Sequence, residues 1–198
     1  FQQMKSKGVT CCFMEASSHG IHQSRLSGVD VDAAVFTNLT QDHLDYHKTF
    51  SQYRDAKKTL FDELTSSAFA LTNLDDKNGL YMLQNSKAAK YTYGLKNHAD
   101  VKVHILEQQF SGTLLRIENH EIWVKLVGEF NAYNLAAVYG VAVELGADKE
   151  EVLKELSLLE PVKGRFEFIT SSNGIKAVID YAHTPDAIEN VLTTIKTL

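Results

Sequence analysis

The stretch NLTQDHLDYHKTFSQYRDAKKTLF, residues 38–61, joins the end of an apolar segment to an amphipathic helix. The segment that leads into it, DAAVFTNL at 32–39, is short and mainly apolar, which predicts a buried strand. The residues at 51–64 repeat their apolar side chains at helical spacing and so predict a helix with one buried face. A strand, a polar loop and a helix in this order form the building unit of a parallel α/β sheet.

The same alternation extends on both sides of this stretch. Strands are predicted at 9–17, 68–76 and 89–95, and a short helix at 79–85. The pattern then changes, because residues 100–127 favour three antiparallel strands joined by tight turns. The predicted fold class is therefore α/β: a mostly parallel sheet flanked by helices, with a small antiparallel three-stranded meander.

The C-terminal third predicts two helices, two strands and a last helix. The first four of these elements are helices at 131–146 and 148–159 and strands at 165–170 and 174–182. The last helix is expected to have Thr184 as its N-cap and Pro185 at its first helical position. We expect a central domain of residues 1–170, followed at 171–198 by the first strand and helix of a C-terminal α/β domain.

Composition narrows the classes of function. Of the 198 residues, 44% are hydrophobic and 23% charged, which is typical of a globular protein. A net charge of −5 disfavours nucleic acid as a partner, and the apolar runs fall short of the roughly 18 residues of a membrane span. Cys11 and Cys12 are neighbours in an apolar run, which predicts two buried thiols in a reducing compartment. We therefore expect a monomer in the cytoplasm.

Two adjacent lysines of the predicted helix 51–64 face different ways. At 100° per residue, Lys57 lies about 40° from Tyr53, inside the apolar stripe, and Lys58 lies on the side of Asp62. We expect Lys58 to be an ordinary surface lysine. Lys57 either snorkels, pairs with a carboxylate or loses its charge. A neutral amine can add carbon dioxide, and the resulting carbamate is an anionic oxygen ligand of the kind that Mg²⁺ prefers.

Side chains with the chemistry of metal ligands follow the predicted strand 32–39. They are Asp42, His43, Asp45 and His47. Glu15 lies near the end of the predicted strand 9–17, and the carboxyl ends of neighbouring parallel strands meet at one edge of a sheet. A carboxylate from one strand end and a histidine from the next could therefore share a divalent ion with a modified Lys57. The alternatives are a polar surface run and a zinc hydrolase, although the spacing does not match H-E-x-x-H.

Six motifs occur in a fixed order along the chain. They are MEASSHGIHQSRL (14–26), FTNLTQDHLDYH (36–47), YRDAK (53–57), GEFNAYNLAA (128–137), EPVKGRFE (160–167) and DYAHTPDA (180–187). With these motifs the chain resembles the Mur ligases, and most closely the branch that adds the third residue of the peptidoglycan stem peptide. The DYAHTPDA motif separates that branch from its relatives. Each motif is weak alone, but together they span nearly the whole chain.

The resemblance implies an ATP-dependent amide ligase that extends UDP-N-acetylmuramoyl-L-Ala-D-Glu. ATP would phosphorylate the terminal carboxylate of this substrate, and the amine of the incoming amino acid would displace phosphate from the acyl phosphate. Mg²⁺ would screen the phosphate charges. The implied partners are thus small molecules, and the third amino acid (lysine, diaminopimelate or another) stays open.

The resemblance also implies roles for individual residues. Lys57, carbamylated, and His43 would be catalytic, and both would bind Mg²⁺ together with Glu15. The implied contacts to the UDP-muramyl substrate are Ser17, Gln23 and Arg25. The implied contacts to the nucleotide are Asn131, Asn134, Arg165, Asp180 and His183.

One part of the family pattern is missing from these residues. The glycine-rich phosphate loop of the Mur ligases contains a Gly-Lys pair, and no Gly-Lys dipeptide occurs in the 198 residues. We expect this loop and a UDP-binding domain to precede Phe1, and most of the amino-acid-binding domain to follow Leu198. We therefore expect the chain by itself to have no ligase activity.

Three other interpretations stay open. The first is a related ATP-dependent ligase, such as a folylpolyglutamate or cyanophycin synthetase, and the second is a non-catalytic module that binds a nucleotide or a metal. The third is a metallohydrolase that uses Asp42, His43 and Asp45.

Overall fold

The computed structural model describes residues 1–40 and 44–198, with only the backbone of Leu44. In this part of the chain, β1 to β6 form one sheet in sequence order, and β7 and β8 form a separate hairpin. The strands are β1 Ala33–Phe36, β2 Phe69–Asn73, β3 Ala89–Gly94, β4 Val101–Gln109, β5 Gly112–Ile117, β6 His120–Val124, β7 Glu167–Thr170 and β8 Lys176–Ile179.

The larger sheet is parallel in its first half and antiparallel in its second. Strands β1 to β4 pair in parallel, and β4 to β6 form the predicted antiparallel meander. The two halves are continuous because β3 pairs with β4, with Tyr93 opposite Val101. The predicted α/β fold class is confirmed.

Helices cover both faces of this sheet. They are α1 Gln2–Ser6, α2 Ser18–His22, α3 Leu44–His47, α4 Phe50–Asp62, α5 Gly79–Leu83, α6 Glu129–Glu144, α7 Lys149–Leu158 and α8 Pro185–Thr197. Helices α4 to α7 were predicted to within two residues at each end, and Thr184 caps α8 as expected, its Oγ1 accepting a hydrogen bond from the Ala187 N–H. No helix in the described ranges is both long and apolar enough to cross a bilayer.

Two hydrophobic cores lie on opposite sides of the sheet. Successive side chains of a strand point to opposite faces, so Ala70 of β2 packs with α4 and α5, whereas Leu71 packs with α6 and α7. Helix α6 approaches β2 closely, because a Cβ at Gly140 would lie 2.9 Å from Leu71 Cδ2. The result is a three-layer arrangement with the sheet in the middle.

The strand predicted at 9–17 is wrong. Residues 9–17 form neither a helix nor a strand, and Phe13 is 79% exposed. Cys11 and Cys12 are also exposed, so the prediction of buried thiols is wrong as well. A strand needs a neighbour to pair with, and among the described strands β1 pairs only with β2. Strand-like composition alone therefore did not produce a strand here.

Candidate active site

The segment that leaves β1 is tied to the ends of the next two strands. Tyr93 Oη donates a hydrogen bond to the Phe36 carbonyl at 3.1 Å, and Asn73 Nδ2 donates to the Thr37 carbonyl at 2.9 Å. Burial raises the pKa of Tyr93 well above its usual value, which keeps its hydroxyl protonated as a donor. These bonds fix where the chain leaves the carboxyl edge of the sheet, just before the predicted site residues.

The three residues predicted to contact a UDP-muramyl substrate lie together at α2. Ser17 is the N-cap of α2, and its Oγ accepts a hydrogen bond from the Gly20 N–H at 3.1 Å. Arg25 Nη2 donates to Gln23 Oε1 at 2.7 Å. Gly20 lies close to both Ser17 and Arg25, because a Cβ there would lie 3.2 Å from Ser17 Oγ and 3.8 Å from Arg25 Cδ. All three predicted side chains are exposed, so they form one polar surface.

A group of aromatic rings, the histidine–tyrosine cluster, lies beside this surface. Its members are His19, His22, Tyr46, His47 and Tyr53. At its base the buried Ser18 Oγ lies 2.9 Å from Nε2 of the buried His47, which joins α2 to α3. Sequence analysis assigned no role to His19 or His22, although their i, i+3 spacing places them on one side of a helical turn.

Lys57 lies beside Tyr53, as the helical spacing predicts. It is half-buried, and its Nζ lies 5.5 Å from the centre of the Tyr53 ring. Because the Tyr53 ring centre lies 5.5 Å from that of His47, Lys57 borders the histidine–tyrosine cluster.

The prediction that Lys58 is an ordinary surface lysine is wrong. Lys58 is only 5% exposed and forms an ion pair with Asp62, four residues on. Its Nζ also lies 5.6 Å from the centre of the Tyr81 ring of α5. Helix α5 packs against α4 on this side, so the face that the helical pattern marks as solvated is covered by a second helix.

The proposed cation ligands are only partly described. Glu15 is exposed and belongs to the irregular segment 9–17, so it does not end a strand. Asp42 and His43 lie outside the described residues. In the part of the chain that is described, no three His, Cys, Asp or Glu side chains come together as a cation site. The predicted Mg²⁺ ligand set of Glu15, His43 and Lys57 therefore stays a prediction.

Asn131 and Asn134 lie on one face of the first turns of α6, as predicted. Asn131 is 8% exposed, and its Nδ2 donates to the Val127 carbonyl at 2.8 Å. Asn134 is exposed, and its Nδ2 lies 3.4 Å from Asn131 Oδ1. The Asn131 amide therefore fixes the start of α6, while Asn134 is accessible to a ligand.

Asp75, which sequence analysis missed, fastens α6 to the carboxyl edge of the sheet. Its carboxylate accepts hydrogen bonds from the backbone N–H groups of residues 95–97 at 2.6–2.8 Å and from Tyr133 Oη of α6 at 2.9 Å. Burial acts to raise the pKa of Asp75, but these donors outweigh it and lower the pKa to about 2. Burial and this hydrogen bond raise the pKa of Tyr133. The only signal in the sequence is a carboxylate two residues after the end of β2.

The remaining predicted nucleotide residues gather around Tyr181. The Asp180 carboxylate accepts hydrogen bonds from the Phe166 and Ala182 N–H groups, each at 2.7 Å. The Arg165 guanidinium lies 5.2 Å from the centre of the Tyr181 ring, and the His183 ring centre lies 5.1 Å from it. The hairpin of β7 and β8 brings these residues together, and their contact with a nucleotide stays a prediction.

Phe166 connects this group to α6. Its ring is 3% exposed, and the ring centre lies 6.0 Å from that of Phe130 in the first turn of α6. Its φ of 49° is unusual for a residue other than glycine, and its N–H bond to Asp180 holds the backbone there. The residues around Tyr181 are thereby brought next to the helix that carries Asn131.

Comparison with known protein families gives an independent result. Residues 1–142 match the Mur ligase middle domain, and residues 164–198 match the glutamate ligase domain of Mur ligases. The chain belongs to the Mur ligase family. Two domains of that family are thus represented, and the match to the first includes the whole six-stranded sheet.

Individual relatives agree with this assignment. The chain is 58% identical over 193 residues to the UDP-N-acetylmuramoyl-L-alanyl-D-glutamate--2,6-diaminopimelate ligase of Parabacteroides distasonis, over 98% of this chain and 40% of that protein. A solved structure of a ligase with the same name superposes with a TM-score of 0.79 at 35% identity, over 96% of this chain and 41% of the other. The chain thus spans about 40% of the length of these relatives.

A more distant structure shares the fold alone. It is the MurF ligase from Thermotoga maritima in complex with ADP, with a TM-score of 0.72 at 18% identity, over 91% of this chain and 42% of that one.

Proposed function

We propose that this chain is the central part of an ATP-dependent amide ligase that adds the third amino acid to UDP-N-acetylmuramoyl-L-Ala-D-Glu. The observation that carries the proposal is the convergence of Ser17, Gln23 and Arg25 on one exposed surface, in a member of the Mur ligase family. An arginine suits the anionic groups of such a substrate because its planar fork can bind two oxygens at once.

ATP is the proposed second substrate, bound between α6 and the hairpin of β7 and β8. Asp180 accepts one backbone N–H on each carboxylate oxygen, and each oxygen keeps a further lone pair for a ribose hydroxyl. Arg165 and His183 lie around the exposed Tyr181 ring, which offers a flat surface for stacking. Asn131 and Asn134 lie in the first turns of α6, the helix whose Phe130 packs on Phe166. The ADP complex of the MurF relative supports a nucleotide site in this fold.

The proposed reaction has two steps. A carboxylate oxygen of the muramyl dipeptide attacks the γ-phosphorus of ATP and ADP leaves, which forms an acyl phosphate. The amine of the amino acid then attacks the acyl carbon, loses a proton, and inorganic phosphate leaves. Glu15, His43 and carbamylated Lys57 are the proposed ligands of Mg²⁺, which when bound would screen the phosphate charges.

The finer parts of the proposal rest on the relatives. Their names support diaminopimelate as the added amino acid. We further propose a cytoplasmic location, because ATP and UDP-linked precursors are cytoplasmic metabolites, and the expected monomeric state stays a proposal. A boundary between a central domain (1–170) and a C-terminal domain (171–198) stays a proposal. The pairing of β7 with β8 favours placing it a few residues earlier.

The direct test is an assay of a full-length ligase that carries this sequence. We expect ATP-dependent product with UDP-muramyl-dipeptide and diaminopimelate, detected by mass spectrometry, and much less product with lysine. Product with folate in place of the muramyl substrate would favour the folylpolyglutamate interpretation. Hydrolysis of a phosphoester without ATP would favour the metallohydrolase.

The substitution Lys57→Ala tests the catalytic part. We expect kcat of the full-length ligase to fall by about a hundredfold or more, because an anionic ligand that stabilises developing charge is removed. Lys154→Ala, at an exposed helical lysine of α7, is the matched control and should leave kcat unchanged. Wild-type kcat in Lys57→Ala would make the lysine structural and contradict its proposed role.

A further inference from the structure

One tyrosine contacts both α2 and Gln23 of the proposed muramyl site. Tyr46 Oη lies 3.3 Å from Gln23 Nε2 and 2.9 Å from His22 Nδ1. Its ring centre lies 4.0 Å from that of His19, so the same side chain also packs on α2. Tyr46 of α3 therefore contacts both α2 and Gln23, the residue that directly follows α2.

The donors and acceptors around Gln23 have one polarity. A guanidinium has no acceptor, so the Gln23 atom that faces Arg25 must be the amide oxygen. The Gln23 NH₂ group then faces Tyr46, whose oxygen must accept. We assign the Tyr46 proton to a bond with His22 Nδ1, which lies 2.9 Å away, and this assignment places the His22 proton on Nε2. The chain of bonds runs from Arg25 to Gln23, to Tyr46, and to His22.

The rest of the cluster holds Tyr46 in place. The neighbouring His47 is 5% exposed and meets the buried Ser18 hydroxyl at 2.9 Å. This contact holds α3 against α2. The link from Tyr46 to Gln23 is therefore built on a buried contact, although Gln23 and Arg25 are themselves exposed.

We propose that Tyr46 is a positioning residue that orients the Gln23 amide and, through it, the Arg25 guanidinium toward an anionic group of the substrate. The inference rests on the proposed function, in which Gln23 and Arg25 contact the UDP-muramyl substrate. A long exposed arginine loses rotamer freedom when it binds, and an arginine already held by Gln23 loses less. Tyr46 therefore acts on substrate affinity rather than on the chemical step.

The test is Tyr46→Phe in a full-length ligase that carries this sequence, since the change keeps the ring and removes only the hydroxyl. We expect KM for UDP-muramyl-dipeptide to rise about fivefold to tenfold, with kcat and KM for ATP within about twofold of wild type. Tyr91→Phe is the matched control, because it removes a hydroxyl that bonds to Glu144 in another part of the fold. It should leave all three constants unchanged.

A double substitution separates positioning from simple structural damage. In a Gln23→Ala background, Tyr46→Phe should raise KM no further, because the residue through which it acts is gone. An unchanged KM in Tyr46→Phe, an equal rise in both backgrounds, or a joint fall of kcat and thermal stability would overturn the proposal. A muramyl dipeptide whose glutamate carboxylates are amidated cannot turn over, but its Kd identifies the group that Arg25 meets. A rise in Kd in Tyr46→Phe that persists with this ligand points to the diphosphate, and a rise that vanishes points to a carboxylate.

A second measurement does not depend on turnover. The ¹⁵N chemical shifts of the His22 ring in the 198-residue chain should report a proton on Nε2 in the wild type and a loss of that preference in Tyr46→Phe. A proton on Nδ1 in the wild type would overturn the bond polarity. If the wild-type ligase showed no muramyl-dependent turnover, the proposed function and the substrate part of this inference would both fail, while the ring shifts would still decide the hydrogen-bond chain.

Discussion

At the scale of single residues, Asp75 makes the clearest prediction. Its pKa of about 2 lies below the ordinary 3.8, so its charged form stabilises the fold above about pH 4, and that stabilisation is lost as the pH falls toward 2. Asp75→Asn should lower the free energy of unfolding by about 1–2 kcal/mol at pH 7, allowing for solvent screening. The difference from wild type should shrink between pH 4 and pH 2. Urea denaturation measures the free energy of unfolding at each pH. The exposed Glu121→Gln is the control and should change this free energy little. A difference between Asp75→Asn and wild type that is independent of pH would contradict the prediction.

Lys57 and Lys58 show what helical spacing can and cannot predict. Helical spacing correctly placed Tyr53 and Phe61 in the core and Lys57 beside Tyr53. It failed for Lys58, because a single helix carries no information about a second helix that packs against its other face. Asp75 escaped prediction for a related reason, since its partners at 95–97 and Tyr133 are distant in sequence.

At the scale of elements, long periodic segments were predictable and short or irregular ones were not. Helices α4 and α7 repeat their apolar pattern over several turns, and α6 is long and apolar on most sides, so their bounds followed from the sequence. Helices α2 and α3, which carry four of the five residues of the histidine–tyrosine cluster, have five and four residues and are too short to show a period. The segment 9–17 has the composition of a strand, but composition does not supply a pairing partner.

The contact between α4 and α5 gives a prediction at this scale. Lys58→Ala removes a buried aliphatic stem and the ion pair with Asp62, and so should lower the free energy of unfolding by about 1–3 kcal/mol. Chemical denaturation of the 198-residue chain measures the change. Lys154→Ala, at an exposed lysine of α7, is the control and should cost less than about 0.5 kcal/mol. Equal stability of the two variants would mean that α5 does not cover Lys58.

At the scale of the whole molecule, the fold explains why residues distant in sequence meet. The parallel half of the sheet sends its connecting segments to one edge, where Asn73 and Tyr93 hold the segment after β1 and Asp75 holds α6. Phe166 then attaches the hairpin of β7 and β8 to α6 through Phe130. The motifs predicted the family, but these connections between them were visible only in three dimensions.

The last prediction concerns what this part of a ligase can do alone and in context. The chain matches the middle domain and 35 residues of the C-terminal domain, and it spans about 40% of its relatives, so we expect it to form no ligase product by itself.

At 58% identity the packing of the segment should be largely interchangeable with that of the Parabacteroides distasonis ligase. A chimaera of that ligase in which residues 1–198 replace the matching segment should therefore keep its activity within about tenfold, or about 1.4 kcal/mol of the barrier. Product formation is measured for the chain, the chimaera and the unaltered ligase under the same conditions. Product from the chain alone, or an inactive chimaera that is folded, would contradict this assignment of roles.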